Sequence, residues 1–466
     1  MLISLEDNKK SQGRKFCGSL EKFRETLDVI DGKNLKFLSS RESGFIIYPP
    51  LSKEIDLDNK DVVFDVDYSD KQNPKFSTGN IMGFMSLKND IRINITSRFD
   101  SSDKNYFLHY MLQKICNVAY TPRTHSGEDS FFDFLYYLFP AYLNVALKQG
   151  VYRAYVTREY NDANVRGPID VARHIRSNMP FNGKIAYHSR EYTTDNFVTQ
   201  LIRHTIEYIR SLSFGDSVLN GSLISDSVDN VKSIESTTFS YNRNARQQII
   251  SKNLRPITHP YYTAYEPLRK LCLAILMHKK LSYGEDSTNQ INGILFDGAS
   301  LWEEYLNRVL KKELKADLKH PNNRTHEGAQ YLFKNDGDQN RRWIFPDFMV
   351  GCDKAKGQID SAKAIIDAKY KPLGGEIGRD DSFQMLAYLF RFKSKQGFLI
   401  HPVKKGDGTQ DPKTMTLYND DSVKLTVVPF VVPEIKGKFE EFRTAMEEAE
   451  KNMMAYLPFE KIGICL

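Results

Sequence analysis

The last third of the chain alternates between helical and strand spacing of its apolar residues, and this alternation most narrowly limits the possible fold. A helical stretch at 298–316 precedes two apolar strands at 341–350 and 363–371, and a second helical stretch at 379–392 precedes a third strand at 397–403. The order helix, strand, strand, helix, strand is typical of a small α/β domain. A closing amphipathic helix is predicted, with an apolar face formed by Phe439, Phe442, Met446, Ala449 and Met453.

The region before this domain contains both kinds of spacing. Residues 36–100 are predicted to form strands and turns, with a hairpin turn at residues 88–90, and helical spacing begins near residue 102. The segment 213–240 is rich in Ser, Asp, Asn and Gly, which is typical of a loop. We therefore predict a mixed α/β protein with three domains: a β-rich N-terminal docking domain (1–100), a mostly helical middle region (101–290) and an α/β domain (291–466).

Composition favours a cytoplasmic protein that does not contact membranes. The 65 basic and 59 acidic residues leave a net charge of +6, so contact with nucleic acid must come from local patches. The five cysteines are odd in number and include no CxxC pair, which favours a reducing compartment and argues against a zinc site. The longest apolar stretch, residues 131–147, contains Asp133 and Pro140 and is shorter than a membrane span, so we predict a buried helix.

The segment 365–371, Ile-Ile-Asp-Ala-Lys-Tyr-Lys, places an acid and a base on an apolar strand. Because residues i and i+2 of a strand point to the same face, Asp367 and Lys369 project side by side. The same spacing also occurs elsewhere in the chain, for example at Asp58 and Lys60, where it fits an ordinary surface strand. Here two isoleucines anchor both faces of the strand, and a buried strand that carries such a pair at its end usually does so for chemistry.

A second acid is predicted to point to the same place. Asp347 follows Pro346 at a strand bend, so neighbouring strands can aim Asp347 and Asp367 at one point. Two carboxylates, together with water and phosphate oxygens, suit Mg²⁺, which keeps several waters. Bound Mg²⁺ would polarise a phosphoryl oxygen and lower the pKa of a bound water. Lys369 would orient or help to deprotonate that water and stabilise the transition state.

The flanking helices supply two further candidates. Glu303 lies on the helix before the first strand, from which it could reach the metal ion. Gln384 and Tyr388 are spaced i, i+4 on one face of the following helix. For Glu303 and Gln384, a solvent-facing position on the helix surface is an equally open interpretation.

A basic segment of the middle region is a candidate contact for DNA phosphates or for a partner protein. It contains Arg166, Arg173 and Arg176. The i, i+3 spacing of Arg173 and Arg176 also fits an ordinary solvent-exposed helix face, so both interpretations stay open.

The acid after Pro346 and the Asp-Ala-Lys on the next strand, with flanking helices, resemble the PD-(D/E)xK nuclease superfamily. Four segments further resemble the C-terminal domain of the McrC family, the nuclease subunit of McrBC-type restriction systems: 295–306, 345–350, 365–373 and 380–390. The resemblance covers most of residues 80–404. It implies a restriction-endonuclease-like α/β domain with Asp347, Asp367 and Lys369 as catalytic residues and Glu303 and Gln384 beside them.

In such systems a separate AAA+ subunit hydrolyses GTP and translocates DNA, while the McrC-like subunit cuts and stimulates the motor. The resemblance therefore implies a Mg²⁺-dependent endonuclease subunit that acts on double-stranded DNA with a McrB-like hexameric AAA+ GTPase. None of the three Gly-Lys pairs in the chain lies in the Gly-x₄-Gly-Lys-Ser/Thr pattern of a phosphate-binding loop. We therefore do not expect this chain to be the motor.

Two other function classes remain open from the sequence. A non-cutting adaptor that binds and activates the AAA+ ring would be expected to have lost one of Asp347, Asp367 and Lys369, and the chain retains all three. A stand-alone nuclease or transposase subunit of the same fold is only mildly disfavoured by the large N-terminal region. A gene for an AAA+ GTPase directly upstream would separate the ring-dependent functions from the stand-alone one.

Overall fold

The computed structural model describes residues 2–13, 24, 27, 30–38, 45–49, 62–70, 73–87, 91–101, 105–116, 129–212, 214–220, 227–277, 293–321, 330–334, 340–355, 358–373, 377–408, 410–435 and 437–457. The predicted turn at residues 88–90 lies outside these ranges. The chain divides into two compact units, one formed by residues 1–134 and 290–466 and the other by residues 135–289.

The described strands, in chain order, are β1 (Leu2–Glu6), β2 (Gln12–Gly13), β3 (Phe45–Tyr48), β4 (Phe64–Asp67), β5 (Lys75–Thr78), β6 (Ile81–Leu87), β7 (Ile91–Thr96), β8 (Ala154–Asp162), β9 (Ile185–Thr193), β10 (Gly293–Asp297), β11 (Leu318–Lys319), β12 (Gln330–Lys334), β13 (Asn340–Ile344), β14 (Phe348–Ala355), β15 (Gln358–Ala368), β16 (Gln396–Lys404), β17 (Lys413–Leu417) and β18 (Asp420–Val432). The described α-helices are α1 (Leu35–Leu38), α2 (Tyr106–Cys116), α3 (Asp129–Leu147), α4 (Val171–Asn178), α5 (Phe197–Arg210), α6 (Gly215–Leu219), α7 (Ser227–Thr237), α8 (Arg246–Lys252), α9 (Tyr265–Met277), α10 (Gly298–Leu314), α11 (Arg379–Arg391) and α12 (Phe439–Ala455). The mixed α/β class is as predicted.

The first sheet has the strand order β1-β7-β6-β10-β3. Strands β6 and β7 pair antiparallel, as the predicted hairpin requires. Strand β10 lies between β6 and β3, antiparallel to the former and parallel to the latter. Gly83 of β6 permits this close pairing, because a Cβ there would lie 2.1 Å from the carbonyl oxygen of Ile294, and the φ of +142° is one that side chains rarely adopt.

The central position of β10 explains why the first unit is discontinuous in sequence. Residues 293–297, which the sequence analysis assigns to the third domain, form an inner strand of the sheet built from residues before 100. The first compact unit therefore combines residues 1–134 with residues 290–466. Hydrogen bonding of β10 to β3 and β6 places it in the first unit, and the residues next to β10 in the sequence do not reveal these partner strands.

The second sheet of this unit has the order β11-β14-β15-β16-β18-β17. Strands β15, β16 and β18 are parallel, and β14 is antiparallel to β15. Helix α11 covers one face, where Met385 and Leu389 join a core that includes Ile365 and Val427. Phe430 lies three residues after Val427 and so points to the other face, where its ring contacts Trp302 and Tyr305 of α10. The sheet is therefore covered by helices on both faces.

The predicted closing helix is α12, and its apolar side chains are largely buried as expected: Phe439, Phe442, Met446 and Met453. Glu450 of this helix accepts hydrogen bonds from the hydroxyls of Tyr110 in α2 and Tyr305 in α10, at 2.7 and 2.9 Å. Its second oxygen lies 3.0 Å from Lys114 Nζ. The last helix therefore fixes α2 and α10 to each other.

The second unit is mostly helical, as predicted for this region, but it also contains an antiparallel pair, β8 and β9. The loop prediction for 213–240 is wrong for α6 and α7, whereas residues 221–226 lie outside the described ranges. Val231 and Ile234 of α7 are buried one turn apart, so packing overrides the polar composition. At the core of the unit, the buried Glu266 and Arg269 form an ion pair at 2.7 Å.

The apolar stretch 131–147 lies in helix α3, and most of its side chains from residue 135 to 143 are buried, as predicted. In the part of the chain that the structure describes, every helix is too short or too polar to cross a lipid bilayer.

Asp7 follows β1, and its burial gives the first unit a testable pH dependence. Burial raises the pKa of Asp7 to about 6, although Arg98 lies beside it. An acid whose folded pKa exceeds its unfolded value stabilises the fold at low pH and loses this contribution as the pH rises through the folded pKa. Between about pH 4 and pH 7 we expect the wild type to lose about 2 kcal/mol of unfolding free energy through Asp7, and Asp7→Asn to lack this loss. Urea unfolding at both pH values measures this, and parallel profiles for variant and wild type would contradict it.

Candidate active site

The two predicted acids lie on neighbouring strands of the second sheet. Asp347 follows Pro346 and directly precedes β14, and Asp367 is the penultimate residue of β15. Antiparallel pairing of Phe348 with Ile366 brings the two positions together. Asp347 Oδ2 accepts a hydrogen bond of 2.7 Å from the backbone N–H of Ala368, which fixes its carboxylate against β15.

Lys369 is the cation at the centre of the site. Its Nζ lies 2.7 Å from Asp367 Oδ2 and 3.4 Å from Asp381 Oδ1, and it donates a hydrogen bond of 2.7 Å to Gln384 Oε1. The Lys369 backbone N–H donates to the carbonyl of Ile400 at 2.9 Å, which continues the pairing of β15 with β16. The predicted Asp367, Lys369 and Gln384 are therefore in direct contact.

Helix α11 holds the Gln384 amide in one orientation. Gln384 Nε2 donates to the hydroxyl of Tyr388 at 2.9 Å, one helical turn away, so the amide oxygen faces Lys369. Burial raises the pKa of Tyr388 to about 12, and the nearby Asp367 and Asp347 act in the same direction. The hydroxyl therefore stays protonated at neutral pH.

The site holds more acidic than basic side chains. Burial raises the pKa of Asp347 well above its ordinary value, and repulsion by Asp367 and Glu303 adds to the rise. Burial also raises the pKa of Asp367, although Lys369 opposes the shift. Burial alone would lower the pKa of Lys369, but the carboxylates of Asp367 and Asp381 outweigh it, and the net shift is upward. The ammonium thus stays charged at neutral pH.

These residues fit a hard divalent cation such as Mg²⁺. Asp367 Oδ2 is buried and accepts no hydrogen bond from the described residues, and the Lys369 ammonium is its close ionic neighbour. A further cation would relieve the repulsion between the acids. Among the described residues, no three or more His, Cys, Asp or Glu side chains are grouped so as to hold a metal ion. Two carboxylates match the small protein ligand set of a metal such as Mg²⁺, which keeps several of its waters.

Glu303 is linked to Asp347 through a histidine that the sequence analysis does not identify. His320 Nδ1 lies 2.9 Å from the carbonyl oxygen of Asp347, and its Nε2 lies 3.8 Å from Glu303 Oε1 and 3.5 Å from Glu304 Oε1. Its ring stacks on Phe348 at 4.8 Å. Burial would lower the pKa of His320, but Glu304 and Glu303 outweigh it, and the net shift is upward.

Asp381 is a second contributor that the sequence analysis does not single out. It is buried in the first turn of α11, and its Oδ2 lies 2.7 Å from Lys371 Nζ. Acids are common in the first turn of a helix because the helix dipole favours them, so the sequence offers no separate signal for this residue. In the structure it holds Lys369 and Lys371 on the same side of the strand end.

The three candidate arginines lie in the second unit. Arg173 donates to the carbonyls of Tyr160 and Tyr187 at 3.0 and 2.8 Å, and its Nη1 lies 2.9 Å from Glu159. These contacts give Arg173 a structural role within its own unit. Arg166 and Arg176 are exposed, and their contact with DNA or a partner remains a prediction.

The solved structures that match this chain include two McrBC assemblies. A refined half-complex from a tetradecameric assembly of Thermococcus gammatolerans McrB AAA+ hexamers with bound McrC shares 14% identity at a TM-score of 0.45, covering 96% of this chain and 100% of that one. A cryo-EM structure of the T. gammatolerans McrBC complex shares 15% identity at a TM-score of 0.29, covering 67% of this chain and 88% of that one. A search of curated proteins found no match.

The family described as McrBC 5-methylcytosine restriction system component matches residues 76–402. The match covers more than half of the chain and contains all five predicted catalytic positions. It confirms the membership that the sequence motifs predict over residues 80–404. The chain belongs to the McrBC 5-methylcytosine restriction system component family.

Proposed function

We propose that this protein is the Mg²⁺-dependent DNA endonuclease subunit of a McrBC-type restriction system, with a PD-(D/E)xK nuclease domain in residues 291–466. One observation carries the proposal: Lys369 Nζ lies 2.7 Å from both Asp367 Oδ2 and Gln384 Oε1, beside an Asp347 carboxylate held by the next strand. Membership of the McrBC family supports the restriction context.

Asp347 and Asp367 are the residues that would hold Mg²⁺, with Glu303 as a third carboxylate nearby. When bound, the metal polarises a phosphoryl oxygen and lowers the pKa of a coordinated water. Hydrolysis joins the water oxygen to phosphorus and breaks the bond from phosphorus to the leaving sugar oxygen, which takes up a proton to balance the one that the water loses. Lys369 stabilises the negative charge that develops on the phosphate during this exchange.

The sequence leaves two roles open for Lys369: to help deprotonate the attacking water, or to orient that water and stabilise the transition state. The carboxylates beside it raise its pKa, so its amine is protonated at neutral pH. As an ammonium, Lys369 is suited to orient the water and to stabilise the negative charge that develops on the phosphate. Gln384 keeps the ammonium aimed at the strand end through its own bond to Tyr388.

We further propose that the protein acts on double-stranded DNA with an AAA+ GTPase ring, as McrC is bound to McrB AAA+ hexamers in the T. gammatolerans assembly. The chain lacks a phosphate-binding loop of its own. Its net charge of +6 is spread over 466 residues, so it neutralises few phosphates by itself. Delivery to DNA by a motor would supply the missing affinity. The intact catalytic set disfavours a non-cutting adaptor.

We expect Asp367→Ala and Lys369→Ala each to reduce DNA cleavage by the reconstituted complex at least about 100-fold, because Asp367 would hold the Mg²⁺ ion and Lys369 stabilises the negative charge on the phosphate. GTP hydrolysis by the partner, measured in the same tubes, should remain stimulated. Lys393→Ala is a matched control, because Lys393 forms an exposed ion pair with Asp360 and its side chain is 67% exposed. Cleavage that survives both site substitutions would show that the site has been misplaced.

Cleavage should require Mg²⁺ or Mn²⁺ and stop when the metal is removed with EDTA. Ca²⁺ should not restore it, because its longer and less regular coordination positions the attacking water poorly. Calorimetry with Mn²⁺ measures binding separately and should show loss of binding in Asp347→Ala. Undiminished cutting in EDTA would refute metal dependence.

The chain by itself should cut plasmid DNA poorly at about 0.15 M salt, because affinity for DNA falls steeply with salt when few phosphates are neutralised. Addition of the AAA+ partner and GTP should produce cutting of plasmid that contains 5-methylcytosine. A gel assay with and without the partner measures the difference. Efficient cutting by the chain alone would favour the stand-alone nuclease.

A further inference from the structure

We propose that Arg98, in the loop after β7 of the first sheet, is a positioning residue for Lys369. It acts through Tyr370, which directly follows Lys369 in the chain. The inference rests on the proposed function for its consequence in catalysis, whereas the positioning of Lys369 can be measured without any cutting.

The loop that follows β7 holds Tyr370 from three sides. Arg98 Nη2 donates a hydrogen bond to the carbonyl oxygen of Tyr370, and the guanidinium lies 4.9 Å from the centre of its ring. Ser97 Oγ lies 2.8 Å from the Tyr370 hydroxyl, and the edge of the Phe99 ring packs against the tyrosine at 5.3 Å. Tyr370 is buried, so these contacts replace water along most of its surface.

Arg98 is itself fixed by the first sheet. Its Nη1 donates to Asn80 Oδ1 at 3.1 Å and to Asp7 Oδ2 at 3.4 Å, and its backbone N–H donates to Asp7 Oδ1 at 2.6 Å. A guanidinium can serve these acceptors and the Tyr370 carbonyl together because its five donors form a rigid planar fork. The ammonium of a lysine could not reach them all.

The start of α10 closes the fourth side of Tyr370. A Cβ at Gly298 would lie 2.5 Å from Tyr370 Cε1, so only glycine lets the ring sit against the helix. The Gly298 backbone N–H donates to the carbonyl of Asn80 at 2.8 Å. The same tyrosine is therefore held between the loop after β7 and the helix that carries Glu303.

These contacts hold the chain just beyond the end of β15, where its pairing within the second sheet ends. Strand β15 ends at Ala368, and the Lys369 backbone N–H makes a hydrogen bond to β16. The next carbonyl along the chain, that of Tyr370, is bound by Arg98. Lys369 is therefore fixed on one side by β16 and on the other by Arg98. Loss of the second support leaves its ammonium free to move away from Asp367 and Gln384.

The first test uses the full chain without DNA or partner. Arg98→Met alone would leave Asp7 buried without its cation and could prevent folding. The comparison is therefore between Asp7→Asn and the double variant Asp7→Asn with Arg98→Met. Reductive methylation followed by peptide mass spectrometry measures how fast each lysine reacts.

Lys369 should react slowly in the wild type and in Asp7→Asn, because its amine is ion-paired and mostly buried. It should react faster in the double variant, while Lys393 reacts equally in all three proteins. An unchanged Lys369 rate in the double variant, with the fold intact by circular dichroism, overturns the proposal.

The second test uses the reconstituted complex. The double variant should lower kcat for DNA cleavage roughly 10- to 100-fold relative to Asp7→Asn, with KM for DNA unchanged, because a displacement of about 1 Å has effects of this size. Arg92→Met, which removes an exposed arginine from the same β7, should leave kcat as in the wild type. An unchanged kcat in the double variant also overturns the proposal. If the wild-type complex does not cut DNA, the proposed function fails, and the methylation result still decides the role of Arg98.

Discussion

The end of strand β15, where Ile365 and Ile366 are buried, carries Asp367 into the interior of a sheet with Lys369 directly after the strand, and the surroundings of the site follow from the need to keep this acid and base there. Asp367 is only 2% exposed. A buried charge is costly unless it is paired and hydrogen-bonded. Lys369 supplies the pairing, and α11 supplies the Gln384 and Asp381 side chains that complete the surroundings of the ammonium. The isoleucines before Asp367 hold the strand in place on both faces.

Pairing alone does not balance this site, because its acids outnumber its bases. Burial raises the pKa of Asp347 and of Asp367, and repulsion by Asp367 and Glu303 adds to the rise at Asp347. Glu304 and Glu303 raise the pKa of the neighbouring His320. Perturbed groups of this kind concentrate at functional sites, where the fold tolerates an arrangement that is unfavourable for stability. The first sheet contributes to that tolerance, because Arg98 and its partners hold the end of the strand that carries the charges.

The local part of this arrangement could be predicted from the sequence, and the part made by packing could not. The strand period places Asp367 beside Lys369, and the helical period places Gln384 beside Tyr388, so short-range geometry suffices for both pairs. His320 reaches the carbonyl of Asp347 only because β11 pairs with β14, and no spacing in the sequence reveals that pairing. The pairing of strand β10 is equally absent from the sequence spacing, since its partners β3 and β6 lie far upstream. The polar composition of residues 227–237 does not predict helix α7, because the helix is stabilised by the burial of only a few apolar residues.

Because β10 is an inner strand, the first sheet can be completed only late in the synthesis of the chain. The ribosome completes the whole of residues 135–289 before β10 appears, so β3 and β6 remain without their shared partner during that time. Unpaired strand edges are prone to association with other chains, which makes this interval a hazard for the nascent protein. The second unit is continuous in sequence and can fold meanwhile. Strand β15, which carries Asp367, emerges later still, so the candidate site can assemble only after the first sheet is able to close.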